Sequence, residues 1–151
     1  MMILTAKERM LLEDEKSHEE ACVQKYQDFA NQAQDPQLKQ LFSTYASKEQ
    51  EHLNTLNEIL SGQVPALPQE NNQQSNQNTL SLQGQYNEND KKLCTDALVT
   101  EKYVSSTYNT TIFECCDTNI RQILNHIQKE EQEHGEGIFN YMRNTGMYTP
   151  K

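Results

Sequence analysis

One pentapeptide of this chain occurs nearly unchanged a second time, and that return limits the folds open to it. Lys48-Glu49-Gln50-Glu51-His52 comes back 82 residues later as Glu130-Glu131-Gln132-Glu133-His134. Laying Asp35 to His52 over Asp117 to His134 gives six identities in 18 positions. Leu38/Ile120, Lys39/Arg121 and Leu41/Ile123 are conservative pairs at the same offset, which also carries Glu19 onto Glu101 and Tyr26 onto Tyr108. Each half thus has one Glu, a Tyr seven residues on, and a Glu-x-x-His 30 residues after the first Glu. Glu-x-x-His sets a carboxylate and an imidazole one turn apart on a single helix face. A chain built this way reads as two similar helical hairpins facing each other.

The periodicity of the chain agrees. Thr5 and Glu8 form a capping box for a first helix. Its inward positions are Leu12, Glu15, Glu19, Cys22, Tyr26, Phe29 and Ala33, stepping by three and four. Asp35-Pro36 gives the N-cap and first-turn proline of a second helix, so the link is tight and the pair antiparallel. That helix presents Leu38, Leu41, Tyr45, Glu49, His52, Leu56 and Ile59, and ends at Gly62 and Pro65. Asp90 is the expected N-cap of a third helix presenting Cys94, Ala97, Glu101, Val104, Tyr108, Thr111 and Cys115. Asp117 caps a fourth, with Ile120, Ile123, Ile127, Glu131, His134, Ile138 and Tyr141 inward and a stop near Gly146. Gly135 and Gly137 interrupt it at some cost, and leave room for something to come close beside His134.

Between the hairpins, Ser61 to Asn89 shows no apolar period, and Gln69 to Asn78 is almost all Gln and Asn. A composition of that kind usually marks a linker. It is also long enough to run back along helices of roughly 35–40 Å, which makes the second and third helices parallel. Leu80 and Leu82 are candidates to pin it to the bundle. The expectation is one all-α four-helix bundle: a hairpin over 5–61, a crossover over 62–89 and a second hairpin over 90–145.

Composition excludes some functions. A net charge of -9 argues against nucleic acid or an anionic membrane as partner, and no stretch approaches a membrane span or a secretory signal. The product is expected to stay within the cell that makes it. Cys22, Cys94, Cys115 and Cys116 lack Cys-x-x-Cys spacing, so they point to free thiols in a reducing compartment rather than a zinc ribbon. The vicinal pair Cys115-Cys116 leaves a redox role open.

Glu19, Glu49, Glu101 and Glu131 fall where Leu or Ile belongs. A buried ionised carboxylate costs several kcal/mol unless paired or metal-bound. All four acids lie at mid-length of their helices and share one layer, while Lys16, Lys48 and Lys102 stand beside the seam and not in it. Cations are the remaining compensation. Four Glu with His52 and His134 form the ligand inventory of a carboxylate-bridged dimetal site inside a helix bundle. Tyr26 and Tyr108 read equally as core aromatics or as donors holding a glutamate. Glu15 and His18 form a third Glu-x-x-His without a counterpart at the offset, and are assigned to the surface or to an outer layer. His126 reads as structural or exposed; Glu51 and Glu133 should face away.

At these residues the chain resembles the ferritin-like superfamily, above all the rubrerythrin-type di-iron proteins. The match covers roughly 5–60 and 90–145. It implies that Glu19 and Glu101 each cap one metal, that Glu49 and Glu131 bridge, and that His52 and His134 give one nitrogen each. Two iron ions, or manganese, suit such ligands, with zinc as an adventitious occupant. Oxygen or peroxide would be the small-molecule partner, and the missing electron-delivery domain implies an external electron donor. The absence of a fifth helix speaks against a storage cage. Leu4 to Asp14, Tyr26 to Leu41 and the ending Tyr141 to Pro150 are similar to the spore coat protein F family. That resemblance implies a spore-coat or sporulation association and coat-protein partners. A redox metalloprotein and a structural coat protein with the metal as staple or relic both stay open, as does a homodimer.

Overall fold

The computed structural model describes residues 2–69 and 86–151. Four helices carry the chain: α1 (Ala6–Gln32), α2 (Pro36–Leu60), α3 (Glu88–Glu114) and α4 (Thr118–Asn144). Each start has a side-chain cap for backbone N–H groups that the helix itself leaves unpaired. Thr5 accepts from Glu8 N while Glu8 accepts from Thr5 N, completing a capping box. Asp35 accepts from Gln37 N with Pro36 at the first position, and Asp117 accepts from Asn119 and Ile120 N. The third helix departs from expectation. Its N-cap is Asn87, which accepts from Asp90 N, and Asp90 lies inside the first turn. Gly62 and Gly146 follow α2 and α4 at φ 92° and 83°, where a side chain would be strained.

Residue pairings fix the directions of the helices. α1 and α2 form one antiparallel hairpin and α3 and α4 the other. Tyr26 reaches Glu101, Tyr108 reaches Glu19, and Glu8 reaches Cys116 across α1 and α3, so those two are antiparallel. His52 with Glu131 and His134 with Glu49 show the same for α2 and α4. α2 and α3 therefore run parallel, as a long crossover requires. Most of that crossover, with Leu80, Leu82 and the Gln/Asn run beyond Gln69, lies outside the described residues. Among the described residues no helix is long and apolar enough to cross a membrane.

The 82-residue offset extends well past the repeated pentapeptide. It maps α1 onto α3 residue for residue, Thr5 onto Asn87 and Glu8 onto Asp90. Asp90 is buried and accepts from Gln34 N at 2.8 Å and Asp35 N at 3.0 Å. Glu8 is likewise buried and accepts from Cys116 N at 3.4 Å. Each hairpin thus satisfies backbone donors in the other hairpin's turn, one at each end of the bundle. Tyr141 adds a 2.6 Å bond to Asp35.

The core comes in two apolar clusters. One contains Tyr26, Phe29, Leu38, Phe42, Ala97 and Ile138; the other contains Leu12, Cys22, Leu56, Ile59, Val104, Ile120 and Ile127. Phe42 is fully buried while Leu41 is only half-buried, so the α2 stripe is rotated by one residue there. Leu124 also joins the core between the expected Ile123 and Ile127. Separating the clusters is a layer of acids and imidazoles.

Candidate metal centre

All six inward acids and imidazoles lie in that layer. Glu19, Glu49, Glu101 and Glu131 are at most 2% exposed, His52 is 2% and His134 5%. One ligand atom from each of Glu19, Glu49, His52 and Glu131 lies within 4.8 Å of the others, and the same holds for Glu49, Glu101, Glu131 and His134. Each group could hold a metal ion. Glu49 and Glu131 belong to both groups, Glu19 and His52 to one, Glu101 and His134 to the other. Two cations placed in these groups would share Glu49 and Glu131.

Both imidazoles turn Nδ1 into the acids. His52 Nδ1 lies 2.9 Å from Glu131 Oε1, 3.7 Å from Glu19 Oε2 and 3.8 Å from Glu49 Oε2. His134 Nδ1 lies 2.8 Å from Glu49 Oε1, 3.3 Å from Glu101 Oε1 and 3.8 Å from Glu131 Oε2. Even so, Glu19 Oε2, both Glu49 oxygens, Glu101 Oε2 and Glu131 Oε2 are buried without an aligned hydrogen-bond donor. The 2.8 Å approach of His134 to Glu49 is an ion-pair distance only. Five orphaned oxygens among four acids is an arrangement that only protons or cations can neutralise.

The directions of ionisation show where protons would go. Burial, then the neighbouring Glu19, push Glu49 up to about 9. Burial followed by Glu101 raises Glu131 well above the usual carboxylate range. Burial would raise Glu19 too, but the nearness of Glu49 and His52 brings it to about 2. Glu101 is lowered against burial by Glu131 and His134. Without cations, protons are favoured on the central acids over the outer two.

Tyr108 donates to Glu19 Oε1 at 2.5 Å, and Tyr26 donates to Glu101 Oε1. Each tyrosine therefore holds the outer glutamate of the opposite hairpin. Burial, then the charge of that glutamate, raises both phenols well above their ordinary range, so they remain donors.

Beyond these residues the two halves differ. His52 Nε2 meets Glu130 Oε1 at 3.2 Å, and Glu130 also meets His126 Nε2 at 3.0 Å and Lys48 Nζ at 3.4 Å. Although burial would raise Glu130, its bond with His52 holds it at about 2. A carboxylate behind a ligating imidazole fixes the ring and makes it a stronger donor. Sequence reasoning missed Glu130, whose counterpart at the offset is Lys48; its signal was position i+4 from His126 beside Glu131. His134 has a different support. The Tyr45 ring stacks on it with centroids 4.1 Å apart. A Cβ on Gly137 would come within 1.8 Å of the Tyr45 hydroxyl, so that glycine makes the stacking possible.

Of the two places expected for Glu15, the surface or an outer layer, its burial rules out the surface. Glu15 is 2% exposed and accepts from Thr107 at 3.0 Å and Thr111 at 3.2 Å, with His18 Nδ1 at 3.4 Å. Two hydroxyl donors from α3 make its burial tolerable. His18 is half-buried; Glu51 and Glu133 are exposed. All four cysteines are free, with Cys116 exposed and Cys115 buried.

Residues 89–151 match the family model of the Coat F domain, a stretch that takes in the second hairpin with Glu101, Glu131 and His134. No curated protein matches the chain. No solved structure matches it either.

Proposed function

We propose that this protein is a spore-coat-associated four-helix bundle that binds two transition-metal ions, iron or manganese, and reacts with oxygen or peroxide. The observation carrying this reading is the pair of four-residue groups sharing Glu49 and Glu131 around five buried oxygens without donors. Hard oxygen ligands with one imidazole nitrogen per group suit iron and manganese, and admit zinc. Glu19 and Glu101 are the outer ligands, each steadied by a tyrosine of the other hairpin. His52 and His134 close the two groups. Two such ions would supply electron exchange with a bound oxygen species. The chain's own part is to hold six donors in one buried layer, with Tyr26 and Tyr108 fixing the outer carboxylates. Electrons would come from an external donor.

Metal analysis of natively purified protein tests this. Two ions per chain in wild type, falling towards zero in Glu49→Ala/Glu131→Ala, is the expected result. Wild-type protein without metal would overturn it. The Coat F match supports a second reading, a coat building block in which the ions are structural staples. Peroxide consumption by iron- and manganese-loaded protein separates the two, since turnover with neither metal favours the staple.

A further inference from the structure

Among the described residues, a groove between α3 and α4 reaches the layer and the groove between α1 and α2 does not. A groove of about 440 Å³ between those two helices has Glu101 and Glu131 in its lining, with Leu98, Ser105, Gln128 and Gly135 around them. At the 82-residue offset the same positions of the first hairpin hold Val23 for Ser105, Ala46 for Gln128 and Leu53 for Gly135. Val23 and Leu53 are half-buried there, and the α1–α2 groove, lined by Gln27, Ser43, Ser47 and Gln50 among others, touches none of the six inward residues. A third cavity of about 190 Å³, between α2 and α4, reaches only His52, whose outward nitrogen is held by Glu130. At two of these positions, Val23 for Ser105 and Leu53 for Gly135, the first hairpin carries the larger apolar side chain that would stop a seam.

We infer that the α3–α4 groove is the port by which divalent cations enter the centre, first meeting Glu101 and Glu131. This rests on the metal-binding reading above. A hydrated cation sheds water most readily where oxygens replace it. The groove offers Ser105, Ser106, Asn109, Gln128 and Gln132 leading to the two carboxylates. Lys102 lies in the lining too, and its charge opposes a cation's approach. Gly135 has no conformational need to be glycine, because it lies outside the positive-φ positions and an added Cβ would meet only Leu98 Cδ1 at 3.8 Å. Its missing side chain serves the groove.

The test uses cobalt(II) as probe, following its visible absorption on mixing with metal-free protein and its loss to excess EDTA. Ser105→Val/Gly135→Leu gives the second seam the plugs of the first. Two cobalt per chain should still bind, with entry and release both slowed by roughly tenfold or more. Gly135→Met fills the same space with a flexible chain and should slow both steps likewise if the double variant does not fold. Lys102→Glu should speed entry several-fold at low ionic strength, an effect that salt removes. Ser47→Leu, in the α1–α2 groove, should leave the rates unchanged. Full stoichiometry with unaltered rates in the plugged and Lys102→Glu proteins would overturn the port while leaving the centre intact. Failure of wild type to bind cobalt would overturn the metal-binding reading, and the port with it.

Discussion

Replacing Glu49 by Leu should make the metal-free protein more stable and abolish its stabilisation by metal. Both Glu49 oxygens are buried without a hydrogen-bond donor. An orphaned buried polar atom costs about 1–3 kcal/mol, so the two together cost roughly 2–6 kcal/mol. The substitution also strips His134 Nδ1 of the carboxylate 2.8 Å away, which returns about 1–3 kcal/mol of that gain. Leu exceeds Glu by about one methylene in volume, and apolar clusters lie on both sides of the layer to receive it. The difference spans about -1 to 5 kcal/mol, and its middle, a gain of about 1–3 kcal/mol, agrees with replacements of buried ionic groups by apolar ones. For a chain of 151 residues that corresponds to a rise in Tm of roughly 2–12 °C. Metal should act in the opposite sense on the two proteins' ranking. An ion at a hundred times its Kd adds about 2.7 kcal/mol per site to the wild type, whereas the variant has lost a residue common to both groups. The assay is thermal unfolding by far-UV circular dichroism, in EDTA and in excess manganese(II) or cobalt(II). A variant melting below wild type in EDTA, or one keeping the full metal-dependent rise, would refute the reasoning.

Three further outcomes are expected. Glu130→Gln removes the charge behind His52 Nε2 and should weaken metal binding by about 10–100-fold, as measured by competition with a chelator, with little change in the far-UV spectrum. Gly137→Ala sets a methyl where the Tyr45 hydroxyl lies and should destabilise the protein by about 1–3 kcal/mol in urea, with Tyr45→Phe/Gly137→Ala recovering part of the loss. Glu8 ionises below its ordinary range because bonds from Thr5 and Cys116 outweigh burial. Its contribution is therefore present above the unfolded carboxylate pKa and is lost as pH falls through the folded value. Glu8→Gln should cost about 1 kcal/mol at neutral pH, and urea midpoints of the two proteins should converge in acid.

The architecture and the inward residues were legible because both follow from spacing. Capping signals at Thr5, Asp35 and Asp117 mark three helix starts, and the step of three and four marks the faces. The third start differs because Asp90 is the stronger local N-cap signal, while Asn87 is the residue that caps the helix. Carrying Thr5 forward by 82 would have found Asn87, and carrying Glu8 forward would have found Asp90 as its partner in bracing a turn. What one sequence could not supply were relations across helices whose rotation periodicity leaves loose by a residue. Phe42 outranks Leu41 for that reason, and Glu15 is buried because Thr107 and Thr111 of another helix hand it donors.

The same offset separates what the two halves share from what each does alone. Shared positions hold the layer itself: Glu19/Glu101, Tyr26/Tyr108, Glu49/Glu131 and His52/His134 take matching places and, for the tyrosines, matching crosswise bonds. Unshared positions surround it. Glu130 stands behind His52 where Lys48 is the counterpart, Tyr45 stacks on His134 where Ile127 is the counterpart, and Gly135 opens a seam that Leu53 fills. A layer needed only as a staple would gain nothing from unequal surroundings, since cross-linking asks the same of both ions. Unequal imidazole supports, and a groove that among the described residues reaches Glu101 and Glu131 but not Glu19, would instead give two bound ions different ligand strength and different access. Such inequality would suit chemistry at one ion assisted by its neighbour, and peroxide consumption by the iron- and manganese-loaded protein decides between that reading and the structural one.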